Sequence, residues 1–264
     1  MKILIATPAY GGVVHTVYHE AVLATVLYFQ QNFPGISFET RSLSLSVISM
    51  ARNIFASIVL NDKSFTHLLF IDADMGFQPS LIARMLAFGK PITGVVAPQR
   101  RLDYEAYHET RAKVANPAIA RAVANDYVGN LDDLILSAAG EIEVIDGFVP
   151  TTRAGTGIML IERAVLEAMQ ERYPKLWLAE TDEKMRRMGL EGGLLQCFDP
   201  LRDQNGVGLG EDVSFCLRWS VELKGEIWAN IDEPIVHVGQ DSYTGHYLSK
   251  LQVMGAKLRV TTRE

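Results

Sequence analysis

Across the first hundred residues the hydrophobic period switches back and forth, and that alternation limits the fold more than any other feature. Residues 2–7 (KILIAT) are apolar and stop at Pro8, as a buried strand does. Residues 14–31 take helical spacing, with Val14, Val17, Ala21, Ala24 and Tyr28 on one face, and Asn32 to Gly35 ends the run. Residues 36–41 (ISFETR) alternate as a second strand. Residues 49–61 read as a helix with Ser49 as its N-cap. Residues 66–72 (THLLFID) read as a strand buried on both faces. Pro79 and Ser80 open a helix that closes at Gly89, and residues 91–97 (PITGVVA) supply the next strand. Strands separated by helices imply an α/β fold: a mostly parallel central sheet with helices on both faces. In such sheets ligands bind beyond the carboxyl ends of the strands.

The second half is less regular. Residues 103–127 are polar and partly helical, interrupted at Pro117. Residues 134–149 read as a hairpin, with Glu141 to Val144 alternating, and 156–161 (TGIMLI) as a strand followed by a helix near 162–172. Residues 189–210 are rich in glycine and poor in periodic apolar side chains, so a mobile loop is expected there. A helix over 211–224 and a strand over 226–237, ending at His237, complete the pattern. No repeat, low-complexity stretch or linker divides the 264 residues, and a single domain is expected.

Charge and composition exclude some partners. The formal net charge is −6, opposite in sign to that of a general nucleic-acid-binding protein. The short basic clusters, Arg100-Arg101 and Lys184 with Arg186-Arg187, read as solvated charge. No apolar run approaches the roughly 20 residues that cross a bilayer, and MKILIATPAY lacks the features of a signal peptide, so a cytoplasmic location is expected. Cys197 and Cys216 are the only cysteines and are expected as small core residues in a reducing compartment.

The chemistry concentrates at LLFIDADMGF, residues 68–77. Side chains two apart on a strand point the same way, so Asp72 and Asp74 would aim into one crevice. Like charges that close repel unless one is protonated or a cation sits between them. Mg²⁺ or Mn²⁺ suits such a pair, with phosphate oxygens and water completing the shell. His237 could add an imidazole ligand, and Glu211-Asp212, at a predicted helix start, could supply a proton acceptor.

In chain order these segments resemble the GT-A family of nucleotide-sugar glycosyltransferases, in particular family-two-like members of bacterial or phage type. The resemblance rests on ILIATPAY, Ala51-Arg52-Asn53, the DxD pattern Asp72-Ala73-Asp74, and Ala154-Gly155-Thr156-Gly157. It continues in GEDVSFCLRW with Glu211 and Asp212, and ends in IVHVG with His237. It implies a GT-A, Rossmann-like sheet with a small antiparallel acceptor-side region. Residues 1–100 would form the nucleotide-binding half, and 101–264 the acceptor-side half with its mobile loop. It implies a metal-dependent transfer of a sugar from a nucleotide diphosphate sugar, with UDP as the expected carrier, to an acceptor hydroxyl. Thr7, Pro8, Ala9 and Tyr10 would cradle the nucleotide, with Arg52, Asn53 and Asp72 nearby. Gly155, Thr156 and Gly157 would line the donor sugar, and Tyr243 would touch the diphosphate. Asp72, Asp74 and His237 would hold Mn²⁺ or Mg²⁺. Asp212 or Glu211 would be the catalytic base. Residues 100–150 match no part of the family pattern, so the acceptor stays open among a glycan, a lipid-linked sugar, a small molecule and a modified nucleic-acid base.

Two rivals share this chemistry. A sugar nucleotidyltransferase needs cationic phosphate contacts near its first loop, and Gly11-Gly12 is followed by Val13-Val14-His15 without Arg or Lys. A non-catalytic nucleotide-sugar-binding module would have no use for so many clustered carboxylates. A dinucleotide-binding dehydrogenase is set aside, because no G-x-G-x-x-G follows the first strand.

Overall fold

A computed structural model describes residues 1–128 and 133–239. The alternation expected of the first half is present. Strand β1 (Lys2–Pro8) leads to helix α1 (Thr16–Asn32), β2 (Ser37–Leu43), α2 (Ile48–Asn61) and β3 (His67–Ile71). A two-residue strand β4 (Met75–Gly76) precedes α3 (Pro79–Phe88) and β5 (Ile92–Val95). Then come β6 (Pro98–Leu102), α4 (Tyr104–Lys113), α5 (Pro117–Ala124) and β7 (Asn125–Tyr127). Strands β8 (Phe148–Thr151) and β9 (Gly155–Glu162), helix α6 (Arg163–Arg172), β10 (Trp177–Leu178), α7 (Glu183–Arg187) and β11 (Leu194–Leu195) follow. Helix α8 (Glu211–Leu217), β12 (Ile227–Asn230) and β13 (Val236–His237) end the described chain.

The central sheet has seven strands in the order β2-β1-β3-β9-β5-β12-β8. Five run one way, while β9 and β8 run antiparallel to their neighbours. Strand β9 is a long apolar run at the centre of the sheet, paired with β3 on one side and β5 on the other. Its direction was not readable from its own residues, because a strand buried on both faces looks the same whichever way it runs. Apolar side chains fill both faces of the sheet, Leu68 and Phe70 on one and Leu69 and Ile71 on the other.

Helix α2 is buried without a break from Ala51 to Leu60. A helix enclosed on all sides must satisfy its polar side chains internally. Segment 193–199 does this. Ser57 Oγ accepts from Leu195 N (2.8 Å), Asn53 Oδ1 accepts from Phe198 N (2.8 Å), and Asn61 Nδ2 donates to Gly193 O (2.7 Å). Leu190, Leu194, Leu195, Cys197 and Phe198 join the same core. The expected loop over 189–210 therefore joins the core at Leu190 and again over residues 193–198, while 191 and 192 are exposed. Its apolar side chains lack a regular period because they pack onto a helix rather than within an element.

Several local expectations are corrected. The buried face of α1 carries Ala21, Val22, Thr25 and Phe29, one position round from the predicted stripe, and Val14 is exposed. Val47, not Ser49, occupies the N-cap of α2, and no side chain caps it. Pro117 opens α5 at its first turn, and α4 ends before it. Residues 141–144 are exposed and outside any strand. Only isolated bridges, Leu134 to Thr151 and Ile145 to Phe148, mark the predicted hairpin. The predicted strand over 226–237 is two strands. β12 belongs to the central sheet, whereas β13 pairs antiparallel with β4, Val236 opposite Gly76 and His237 opposite Met75. Gly76 is hemmed in on that ribbon, since an added Cβ would stand 3.1 Å from Val17 Cβ and 3.3 Å from Val236 Cβ. Cys197 and Cys216 are free and buried, and burial pushes both thiols up to about 12. Among the described residues no helix is long and apolar enough to cross a membrane.

Candidate active site

Strand β3 delivers the chain to Asp72 with Leu68 to Ile71 fully buried behind it. The strand stops there. Asp72 N donates to Gly157 O (2.8 Å), and Met75 N donates back to Asp72 O (3.1 Å), so Asp72-Ala73-Asp74 is a turn. The same-face relation expected of two strand residues does not hold, and the two carboxylates meet different partners.

Asp72 faces Arg52. The Arg52 guanidinium, 2% exposed, lies 5.0 Å from the Phe70 ring centroid. Its Nη2 donates to both Asp72 oxygens (3.0 and 3.3 Å) and its Nε donates to Glu211 Oε1 (3.2 Å). Among the described residues, buried Nη1 has no partner. One buried cation thus links the end of β3 to the start of α8. Burial raises the pKa of Asp72, Arg52 opposes that shift, and the charges of Asp74 and Glu211 add to it.

Asp74 faces His237 and Arg100. Arg100 Nη1 donates to Asp74 Oδ2 (3.2 Å), and His237 Nε2 lies 3.5 Å from the same oxygen. Burial pushes the Asp74 carboxyl up, but His237 and Arg100 outweigh it and hold the group below its ordinary range. His237 is raised, first by its bond to Asp74, against the opposing effect of burial. The pairing of β13 with β4 makes this contact, and Val238 N donates to Asp74 O (2.9 Å) to lock it. His237 Nδ1 is 2.8 Å from the Pro98 carbonyl, so Nδ1 carries hydrogen and Nε2 is the ring nitrogen turned toward Asp74.

A cleft of about 160 Å³ opens between Asp72 and His237, and Asp74 and Arg100 do not line it. Arg52, Asp72, Gly155, Thr156, Gly157, Glu211, Asp212 and His237 all line it, together with Ile48, Met75 and Val128. Asp212 accepts only from its own neighbour, Val213 N (2.7 Å); no described side chain bonds it. Burial, and then the charge of Glu211, raise its pKa. Gly155 is required by packing, since a Cβ there would come within 2.7 Å of Val128 Cγ1. At Gly157 a Cβ would meet Met75 Cε at 3.5 Å and Asp72 Oδ2 at 3.8 Å, which are ordinary contacts.

Other predicted site residues lie elsewhere. Thr7 is fully buried, with Oγ1 2.5 Å from the Tyr18 hydroxyl, and burial raises the Tyr18 pKa. Thr7, Pro8, Ala9 and Tyr10 stand at the end of β1, the strand beside β3, and none of them lines the cleft. Tyr10 is largely exposed. Asn53 is turned away: its Nδ2 donates to Asp199 Oδ1 (2.7 Å), holding the 198–199 turn. Tyr243 lies outside the described residues. Among those described, no three His, Cys, Asp or Glu side chains converge as a ready metal cage. Arg100 is the residue that sequence reasoning missed at this site. Its doublet with Arg101 was the available signal, and it reads as plain surface charge until β6 is placed beside Asp74.

No protein-family model matches the chain, and no curated protein does. Solved structures resemble it distantly. A197 from STIV is 16% identical, covers 91% of this chain and 87% of its own, and has a TM-score of 0.43. A protein described as a glucose-1-phosphate thymidylyltransferase, from Bacillus anthracis and solved with a sucrose, is 13% identical over 99% and 97% of the two chains, with a TM-score of 0.35. The 4-diphosphocytidyl-2C-methyl-D-erythritol synthase of Anaerococcus prevotii is 10% identical over 82% and 94%, with a TM-score of 0.34. TM-scores this low carry no weight for a reaction, so function has to be inferred from the chain's own residues.

Proposed function

We propose that the chain is a GT-A-type glycosyltransferase that moves a sugar from a nucleotide diphosphate sugar to an acceptor hydroxyl. One observation carries the reading. Arg52 fixes Asp72 and Glu211 on a shared buried cation, and beside them Asp212 faces the same cleft with no side-chain partner among the described residues.

The two acids of the α8 start are thereby given different duties. Glu211 is tied to Arg52 and serves to position it. Asp212 is the base: no described side chain bonds it, and its raised pKa brings it nearer the range in which a carboxylate takes a proton from a hydroxyl efficiently. At about 160 Å³ the cleft is smaller than the ~300 Å³ of ordinary small-molecule sites, so it accepts the sugar end of the donor. The nucleotide then lies outside it, toward the neighbouring end of β1, where Thr7 to Tyr10 stand. The small side of Gly157 leaves the floor beside Asp72 open. The spare Arg52 Nη1 offers a hydrogen-bond donor to a donor oxygen.

Asp74 and His237 fit a divalent ion. One hard oxygen and one imidazole nitrogen lie 3.5 Å apart, and the Nδ1 bond to Pro98 O orients Nε2 as metal-binding histidines are oriented. Two protein donors suit Mg²⁺ or Mn²⁺ only when phosphate oxygens and water complete the shell. When bound, such an ion would neutralise charge on the leaving diphosphate.

Calorimetric titration of UDP with and without Mn²⁺, paired with a donor-hydrolysis assay, tests the reading. Asp74→Ala is expected to abolish Mn²⁺-dependent UDP binding. Pyrophosphate release from a nucleoside triphosphate and a sugar phosphate would instead establish nucleotidyl transfer.

A further inference from the structure

The excursion from β6 to β7, including α4 and α5, leaves the sheet directly after β5 and returns beside the cleft. Together with residues 235–239 it borders a second, open cavity of about 460 Å³, within the usual ~300–1,000 Å³ range of small-molecule sites. Arg100, Arg101 and Arg121 line it, with Tyr104, Asn125 and His237. No carboxylate is among its described lining residues, in a chain whose net charge is −6. The cavity and the cleft share His237 alone, so they meet at that imidazole.

Internal pairing takes up two of the three guanidinium groups, both at the solvent face. Arg100 reaches Asp74 (3.2 Å) and Arg101 reaches Asp126 (3.5 Å), with side chains 57% and 80% exposed. Among the described residues Arg121 has no ion-pair partner, and it too is exposed. Two carboxylates therefore face three cations, and the cavity keeps an excess of positive charge. Planar guanidinium forks match the oxygens of a phosphate, and several of them around one cavity favour a dianion. An extended polyanion would have to cross a surface of its own sign, so the cavity favours a small anion.

We propose that this cavity binds the phosphate ester of a small phosphorylated acceptor and holds it beside the cleft. The acceptor role rests on the glycosyl-transfer reading; the phosphate site itself does not. Its place suits that role, because the bound group would approach the cleft from the Asp74–His237 side while Asp212 lines the cleft itself.

Calorimetric titration of the full chain with inorganic phosphate and with glycerol 3-phosphate tests the site. The double variant Arg101→Gln with Arg121→Gln leaves Arg100 and Asp74 intact, and a melting curve checks its fold. Saturable binding of both probes is expected, weakened at least about tenfold in the variant, with UDP and Mn²⁺ binding unchanged. Absent phosphate binding, or equal binding in the variant, overturns the proposal. Parallel loss of UDP binding also overturns it, by assigning the cavity to the donor. Tighter binding of a five-nucleotide thymidine oligomer than of glycerol 3-phosphate overturns the small-acceptor form. If UDP never binds but phosphate does, and the variant loses it, the glycosyl-transfer reading falls and the phosphate site stands.

Discussion

Two arginines meet the aspartates of the D-A-D turn, and they do so in opposite surroundings. Arg52 is 2% exposed, enters from the buried stretch of α2 and serves two carboxylates at once. Arg100 is 57% exposed, enters from a short outer strand and meets one. The difference separates a fixed part of the site from an exchangeable one. A buried cation with two partners cannot leave without stranding charge, whereas an exposed one trades places with water or a ligand at little cost.

The largest effect is expected where that fixed part carries the proposed chemistry. Asp212→Asn should lower turnover by about 10²–10⁴-fold, with UDP and Mn²⁺ binding retained, as read by steady-state kinetics beside calorimetry. Equal turnover would move the base to Glu211 and undo the division of duties that Arg52 imposes. Next comes Arg52→Met, which leaves Asp72 and Glu211 without their buried partner. A loss of about 3–5 kcal/mol in urea unfolding is expected. A loss under about 1 kcal/mol would show that both arginines sit in effectively the same solvent. Arg100→Ala should cost about 0–1 kcal/mol of stability. By freeing Asp74 it should also tighten Mn²⁺ binding by up to about fivefold in a titration with UDP present.

A smaller test concerns pH. The folded Asp212 carboxyl sits above its ordinary value, so its contribution to stability is complete below the unfolded pKa and is lost as pH rises through the folded one. Asp212→Asn should therefore melt higher than wild type near neutrality. That advantage should shrink as pH falls toward the ordinary carboxylate range. Thermal melts across that range read it, and a constant difference would remove the buried, raised carboxylate from the comparison.

Much of the candidate site was legible in the sequence because its proposed parts lie at ends of periodic segments. Asp72 closes an apolar strand, Glu211 and Asp212 open a helix, and Gly155 to Gly157 begin the strand after residue 154. Apolar periodicity locates such ends. What it could not give was long-range pairing. Nothing near residue 237 announces that it lies opposite Met75, since β13 and β4 are two residues long and carry no period of their own. Nor does Asn53 reveal that its amide serves the 198–199 turn rather than a ligand. Its neighbour Arg52 points into the cleft, and only the packing of α2 decides which polar side chain faces which way. The face of α1 slipped by one position for a related reason: its apolar residues run nearly all round, so spacing alone does not choose a stripe.

The narrow ribbon of β4 and β13 has a mechanical corollary. At Gly76, helix α1 and strand β13 close on the main chain together, and a single methyl there would press on Val17 and Val236 at once. Val236 is the residue before His237, so the displaced strand would carry the imidazole with it. Position 76 thus acts as a set-screw on the spacing between an aspartate and a histidine whose side chains it never touches.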